Sequence, residues 1–281
     1  MNISIIGLGF VGNAMYKAFT NKGINNISVY DKFKDGGIGD LNNCLNSDLM
    51  FLCLPTVYDL KLKKYDLIPI EDTLEILKNN NYKGLVVIKS TVTPNTTNIL
   101  AKKYEILNLC HNPEFLSAKT AYDDFLNQKH IVLGKSDNCN NLDLLKTFYE
   151  KYWPNSKISI CSSDESEAVK LGCNCFYSVK IQFFNELYLM CNKGGYDFNK
   201  VRNIMLENNW INPMHTKVPG TDNKLSYGGF CFPKDTNALC SHLEKEKLPN
   251  SVLKSTIDER NLMRSDNLNF KFKDELESNL Q

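Results

Sequence analysis

Two short stretches of the chain concentrate residue types that can do chemistry. The first is Gly7-Leu8-Gly9-Phe10-Val11-Gly12, with Asp31 about 20 residues further on. A glycine at position 7 permits a tight turn, one at 9 lets the backbone approach a pyrophosphate, and one at 12 lets a following helix lie close to a strand. The helix start then offers free N–H groups and the positive end of its dipole to phosphates. Asp31 suits a ribose 2′-hydroxyl and repels a 2′-phosphate, which favours NAD over NADP, although Lys32 and Lys34 work against that preference. The second stretch is Tyr227-Gly228-Gly229-Phe230-Cys231-Phe232-Pro233-Lys234-Asp235. Here a thiol precedes a lysine and the expected start of a helix. A nearby cation and a helix N-terminus both lower a thiol's pKa, which makes a nucleophile.

The elements that must position these groups follow from periodicity. Strands are predicted at 3–6, 27–30, 49–54, 85–88, 106–109, 130–133 and 157–161, with helices between them, including one over 71–78. That alternation predicts an α/β fold: a Rossmann-type, doubly wound parallel sheet covered on both faces. Ligands of such sheets bind at the carboxyl ends of strands, where Pro55, Thr56, Ser90, Thr91 and Glu114 stand. A helical domain with one long central helix is expected next, running from Ala168 to about Asn192 and stopped by Gly194-Gly195. Lys170 and Asn174 lie four residues apart on it, on one face. Further helices are predicted over 198–208, 236–245 and 251–264. The expected domains are 1–160 for the dinucleotide, 161–264 for substrate and dimerisation, and a polar tail over 265–281.

Composition removes several classes of function. Lys and Arg number 33 against 32 Asp and Glu, so no basic field exists to hold nucleic acid or an anionic membrane by charge. Apolar runs such as Leu49–Leu54 fall far short of the ~20 residues of a membrane span. The start MNISIIGLGF has neither the basic flank nor the cleavage site of a signal peptide, so a cytoplasmic protein is expected. The ten cysteines are scattered without a CxxC, and the four histidines are dispersed. Reduced thiols and no metal site are therefore expected.

In order along the chain, Gly7–Gly12, Pro55-Thr56, Lys89-Ser90-Thr91-Val92, Asn112-Pro113-Glu114-Phe115-Leu116, Lys170 to Asn174, and Gly228–Asp235 resemble the motifs of the UDP-glucose/GDP-mannose dehydrogenases. The resemblance covers residues 1–264, and the last motif is its most specific part. It implies oxidation of a nucleotide sugar's C6 alcohol to a carboxylate with two NAD, here UDP-glucose to UDP-glucuronate. It implies Cys231 as nucleophile, Lys170 and Asn174 as oxyanion donors, Glu114 as acid/base, and Asp235 with Thr91 positioning water. The implied cofactor contacts are Gly7, Gly9, Phe10, Val11, Gly12, Asp31, Lys32, Pro55, Thr56, Ser90 and Lys234. Phe115, Leu116, Gly228 and Gly229 would line the sugar-nucleotide pocket, and a homodimer is implied.

Three features depart from the family pattern. Ala118 stands where many members carry a second glutamate, Trp210 replaces an arginine, and the usual third domain has no counterpart in these 281 residues. Two other readings stay open. One is a single-step hydroxyacid dehydrogenase of the 6-phosphogluconate type, which needs no cysteine. The other is a remnant that binds NAD or a sugar nucleotide without turnover.

Overall fold

β1 (Ile3–Ile6), β3 (Leu49–Leu52) and β6 (Leu85–Ile88) are short apolar runs in which every residue is buried, as strands covered on both faces must be. With β2 (Ile27–Tyr30), β7 (Leu109–His111), β8 (His130–Lys135) and β9 (Lys157–Ser162) they form one sheet in the order β2-β1-β3-β6-β7-β8-β9. The protein is described here from a computed structural model covering residues 1–106, 108–264 and 266. The expected tail over 265–281 lies outside the described residues apart from Asp266.

The first five strands in that order are parallel, as predicted, but β8 runs antiparallel to β7 and parallel to β9. The sheet is therefore mixed, and the expectation of an all-parallel sheet is corrected at this edge. A fully buried strand reads as a continuous apolar run in either direction, so the pattern carries no sign of its sense. Topology still reverses beside β1: β2 lies on one side of it and β3 on the other. Such a switch point opens a ligand crevice at the strands' carboxyl ends.

Strand periodicity sorts the sheet's side chains into two cores. Ile3, Ile5, Phe51 and Val87 face α1 (Phe10–Asn21), α5 (Ala121–Leu126) and α6 (Leu142–Tyr152). Phe19 of α1 sits there among Phe51, Phe125, Phe148 and Trp153, at ring separations of 5.3–6.0 Å. Ile6, Met50, Leu52, Val86 and Ile88 face the opposite way, onto α3 (Ile68–Asn79) and α4 (Thr96–Tyr104). The four-residue α2 (Leu41–Cys44) adds Cys44 to this second core. The strand predicted over 106–109 begins instead at Leu109. Glu105 ends α4 in a left-handed conformation, and the Ile106 N–H closes the helix on the Ala101 carbonyl.

α7 (Ser163–Gly194) is the long helix, 32 residues, and it starts five residues before the predicted Ala168. Its start is a capping box. The Glu165 N–H donates to Ser162 Oγ, and the Ser162 N–H donates to Glu165 Oε2. The chain divides into two compact units, one of residues 1–56 and 66–170, the other of 57–65 and 171 onward. The second contains a hairpin that the sequence reading did not anticipate, β4 (Tyr58–Asp59) with β5 (Lys64–Tyr65). It also contains most of α7, α8 (Phe198–Leu206), α9 (Cys231–Lys245) and α10 (Ser251–Met263), with an apolar centre that includes Phe184, Cys191 and Phe198. α9 starts at Cys231, not at the predicted Thr236. Pro233 falls inside the first turn, where a missing N–H costs no helical bond. Among the described residues no helix is long and apolar enough to cross a membrane.

Candidate active site

In the first unit the glycine turn links β1 to α1. Gly7 has φ +89°, and a Cβ there would stand 2.5 Å from the Cys53 carbonyl oxygen. A Cβ on Gly12 would stand 1.9 Å from the Gly7 carbonyl oxygen. Both glycines are required by the chain's own backbone. Gly9 is not: a Cβ there meets nothing within 4 Å. That open space lies at the N-cap of α1, which no side chain caps, so the first amides of the helix remain available to phosphates. The residues present fit the pyrophosphate of a dinucleotide. Asp31 ends β2 as predicted, and its carboxylate already accepts the N–H groups of Leu8, Phe33 and Lys34 at 2.7–3.0 Å. A carboxylate has room for about four such bonds, so one place remains. Lys34 Nζ donates to the Leu8 carbonyl, and Lys32 lies over the Phe33 ring.

The hydroxyls at the strand ends turn inward. Thr56 Oγ1 donates to the Thr91 carbonyl at 2.7 Å, and Ser90 Oγ donates to the Leu54 carbonyl. They tie the loop after β3, which contains Pro55, to the loop after β6. Glu114 follows β7. Its Oε1 accepts from Lys170 Nζ at 3.0 Å and its Oε2 accepts the Leu116 N–H at 2.6 Å, both side chains being nearly buried. The Lys170 ammonium also lies 5.4 Å from the Phe115 ring centre. The structure thus pairs two residues that the sequence could name only separately.

Three buried groups behind this pair were missed as site residues. Lys89 Nζ donates to Asn112 Oδ1 at 2.9 Å, which also accepts from Tyr149 Oη, and burial pushes the lysine down to about 8. His111 bonds Ser166 Oγ and the Ser90 carbonyl oxygen, and burial pushes it down to about 3. Glu167 on α7 accepts the Thr97 N–H and hydroxyl on Oε1. Its buried Oε2 has no hydrogen-bond partner, and burial pushes the carboxyl up to about 7. For Lys89 and His111 the signal in the sequence was a polar residue inside or directly after a buried strand; Glu167, in the acidic first turns of α7, carried none.

In the second unit Cys231 is the first residue of α9 and, of the ten cysteines, the exposed one. Burial pushes other thiols up, Cys53 to about 12. No side chain caps the start of α9. Asp235, one turn along, is fully buried. Its Oδ2 accepts from Asn174 Nδ2 at 2.6 Å, and its Oδ1 accepts from Tyr65 Oη and Lys234 Nζ. The ammonium of Lys234, named above among the implied cofactor contacts, pairs with Asp235. The backbone before Cys231 is held by two arginines of the α10 end. Arg260 Nε donates to the Tyr227 carbonyl, and Arg264 Nη1 donates to those of Leu225 and Ser226. Gly228 lies against the Arg264 guanidinium, where a Cβ would come within 2.3 Å. Trp210 is exposed, and so is Ala118. Among the described residues no three His, Cys, Asp or Glu side chains gather as metal ligands would.

Residues 38–153 match the NAD-binding domain of the UDP-glucose/GDP-mannose dehydrogenase family, and residues 164–261 match its central domain. The chain is 28% identical to a UDP-glucose 6-dehydrogenase of Campylobacter jejuni, an alignment that covers 92% of this chain and 71% of that protein. It is 35% identical to one from Rickettsia bellii over 63% of this chain, which spans only 41% of that relative. The fold matches the structure of a UDP-glucose dehydrogenase from Pyrobaculum islandicum with a TM-score of 0.79 and 23% identity, over 93% of this chain and 68% of that one. With both of the family's domains matched in order, this chain belongs to the UDP-glucose/GDP-mannose dehydrogenase family of NAD-dependent oxidoreductases.

Proposed function

We propose that this chain oxidises the C6 alcohol of a nucleotide sugar to the carboxylate in two steps, with UDP-glucose the first candidate substrate. The observation that carries the reading is Cys231: an exposed thiol at the uncapped start of α9, with Asp235 one helical turn away. NAD, held by Gly7, Gly9, Phe10, Val11, Gly12 and Asp31 with Lys32, Pro55, Thr56 and Ser90 nearby, supplies the hydride acceptor for each oxidation.

The chain's own groups do the rest. Glu114 takes the proton of the C6 hydroxyl, Lys170 stabilises the negative oxygen that develops, and loss of the first hydride from C6 leaves the aldehyde. The Cys231 thiolate adds to the C6 aldehyde, forming a C–S bond and a thiohemiacetal oxyanion, which Lys170 and the Asn174 amide stabilise. Loss of the second hydride leaves a thioester. Water placed by Asp235 and Thr91 attacks the thioester carbon and the C–S bond breaks; the sulfur takes one of the water's protons, the other leaves to solvent, and the carboxylate is released. Phe115, Leu116, Gly228 and Gly229 bound the sugar.

A homodimer is part of the proposal. Val169, Phe176, Phe183 and Met190 are exposed on α7 at seven-residue intervals, one apolar stripe on a single helix.

The test is NAD reduction with UDP-glucose, GDP-mannose and UDP-N-acetylhexosamines, with product stoichiometry. Two NADH per uronate are expected, and Cys231→Ser stops carboxylate formation. One NADH per product, unaffected by C231S, would point to a single-step hydroxyacid dehydrogenase. Ligand binding with no turnover would leave a nucleotide-holding protein.

A further inference from the structure

The β4–β5 hairpin is attached to α9 by two phenols. Tyr58 Oη bonds Ser241 Oγ at 2.6 Å, and Tyr65 Oη donates to Asp235 Oδ1 at 2.5 Å. The two rings stand edge to face, 6.2 Å apart. At the hairpin tip Lys63 pairs with Glu244 at the surface. Of these contacts only Tyr65 reaches a group to which a chemical role is assigned.

We infer that Tyr65 is a positioning residue for the Asp235 carboxylate, fixing the orientation in which Asp235 holds Asn174 and directs water. This deepens the proposed function and rests on it. The χ2 torsion of an aspartate is broad, so the plane of its carboxylate is set by its hydrogen bonds. Asp235 has three side-chain donors: Asn174 Nδ2 on Oδ2, and Tyr65 Oη and Lys234 Nζ on Oδ1. Lys234 reaches Oδ1 on a four-carbon stem, and its ammonium has no directional plane. The Lys234 ammonium lies 4.8 Å from the centre of the Tyr65 ring. The phenol thus directs Oδ1 with its O–H and carries the neighbouring cation on its face. Burial and the facing Asp235 charge push the Tyr65 phenol well above its ordinary value, so it remains a donor throughout the neutral range.

Nothing local in the chain marks this residue. Tyr65 lies in a lysine-rich stretch more than a hundred residues from Cys231, and it reaches Asp235 because residues 57–65 fold with the second unit.

The experiment is Tyr65→Phe, with Tyr58→Phe as the control for hairpin attachment and Asp235→Ala as the partner in a double-mutant cycle. Loss of a hydrogen bond to a buried charge predicts that Y65F lowers kcat about tenfold or more, with KM for NAD and for the sugar unchanged. Y58F keeps kcat, though its melting temperature falls as that of Y65F does. In the D235A background Y65F costs nothing further. Wild-type kcat in Y65F, or an equal loss from Y65F in D235A, would overturn the inference. A second readout needs no substrate. The Tyr65 hydroxyl proton, shielded from exchange against a buried carboxylate, should give a downfield NMR resonance. It should be present in wild type and Y58F and absent in Y65F and D235A. Its persistence in D235A would overturn the pairing even if no sugar were oxidised, whereas a wild type that reduces no NAD refutes the proposed function alone.

Discussion

Gly9 and Gly12 stand three residues apart in one turn, yet the same added methyl group should act on them through different physics. At Gly12 the new Cβ would lie 1.9 Å from the Gly7 carbonyl oxygen, and both atoms belong to backbone. Ordinary contact needs more than 3 Å, so β1 or α1 must move by over an ångström at the point where the two are locked together. Overpacking of that kind costs about 1–3 kcal/mol, with this site at the upper end. For a chain of this size the upper end is a fall of roughly 5 °C in melting temperature. At Gly9 the Cβ meets nothing within 4 Å and φ is −65°, so Gly9→Ala meets no clash and loses up to about 1 kcal/mol of helix capping. Its cost falls on the ligand, because the methyl group occupies the space through which a pyrophosphate approaches the helix amides. NADH affinity, read by fluorescence titration, should fall at least tenfold in G9A while its melting curve overlays the wild type to within about 2 °C. G12A should show the thermal shift. A G9A protein that binds NADH as tightly as wild type would refute the assignment of the glycine turn.

Glu167 and His111, both in the first unit, give stability opposite pH dependences. Glu167 is pushed up from 4.5 to about 7, so its contribution is whole below about pH 4.5 and is lost as pH rises to 7. His111 is pushed down from 6.5 to about 3, so its contribution is whole above pH 6.5 and is lost as pH falls. Between pH 5 and 7 the two offset in wild type, and Glu167→Gln should uncover the histidine. Its melting temperature should rise from pH 5 to 7 relative to wild type, by an amount corresponding to about 2 kcal/mol, and parallel curves would contradict this. Arg264→Ala removes the donors to Leu225, Ser226 and Asp222 and should leave the segment before Cys231 open to limited proteolysis. Gly228→Ala should destabilise wild type, where its methyl group meets the tethered guanidinium, and cost little in the R264A background. Additive losses would show that the guanidinium is not what confines Gly228.

The sequence alone determined whatever depends on near neighbours in the chain. The glycine turn, Asp31 at the end of β2, the strands at 3–6, 27–30 and 85–88, and the start of the helix at Phe198 follow from periodicity and from the special conformations of glycine; that helix, expected to reach 208, ends at Leu206. The capping box at Ser162 and Glu165 was equally local, and it marks the true start of α7. Tertiary structure decided what depends on which segments meet. It ran β8 against β7, joined Glu114 to Lys170 across more than fifty residues, enclosed Glu167 and Lys89, and brought the hairpin's Tyr65 to Asp235. Strand sense, ion-pair partners and buried charge arise from contacts between residues distant in the chain, and a pattern of apolar and polar residues records that a position is buried without recording what it is buried against.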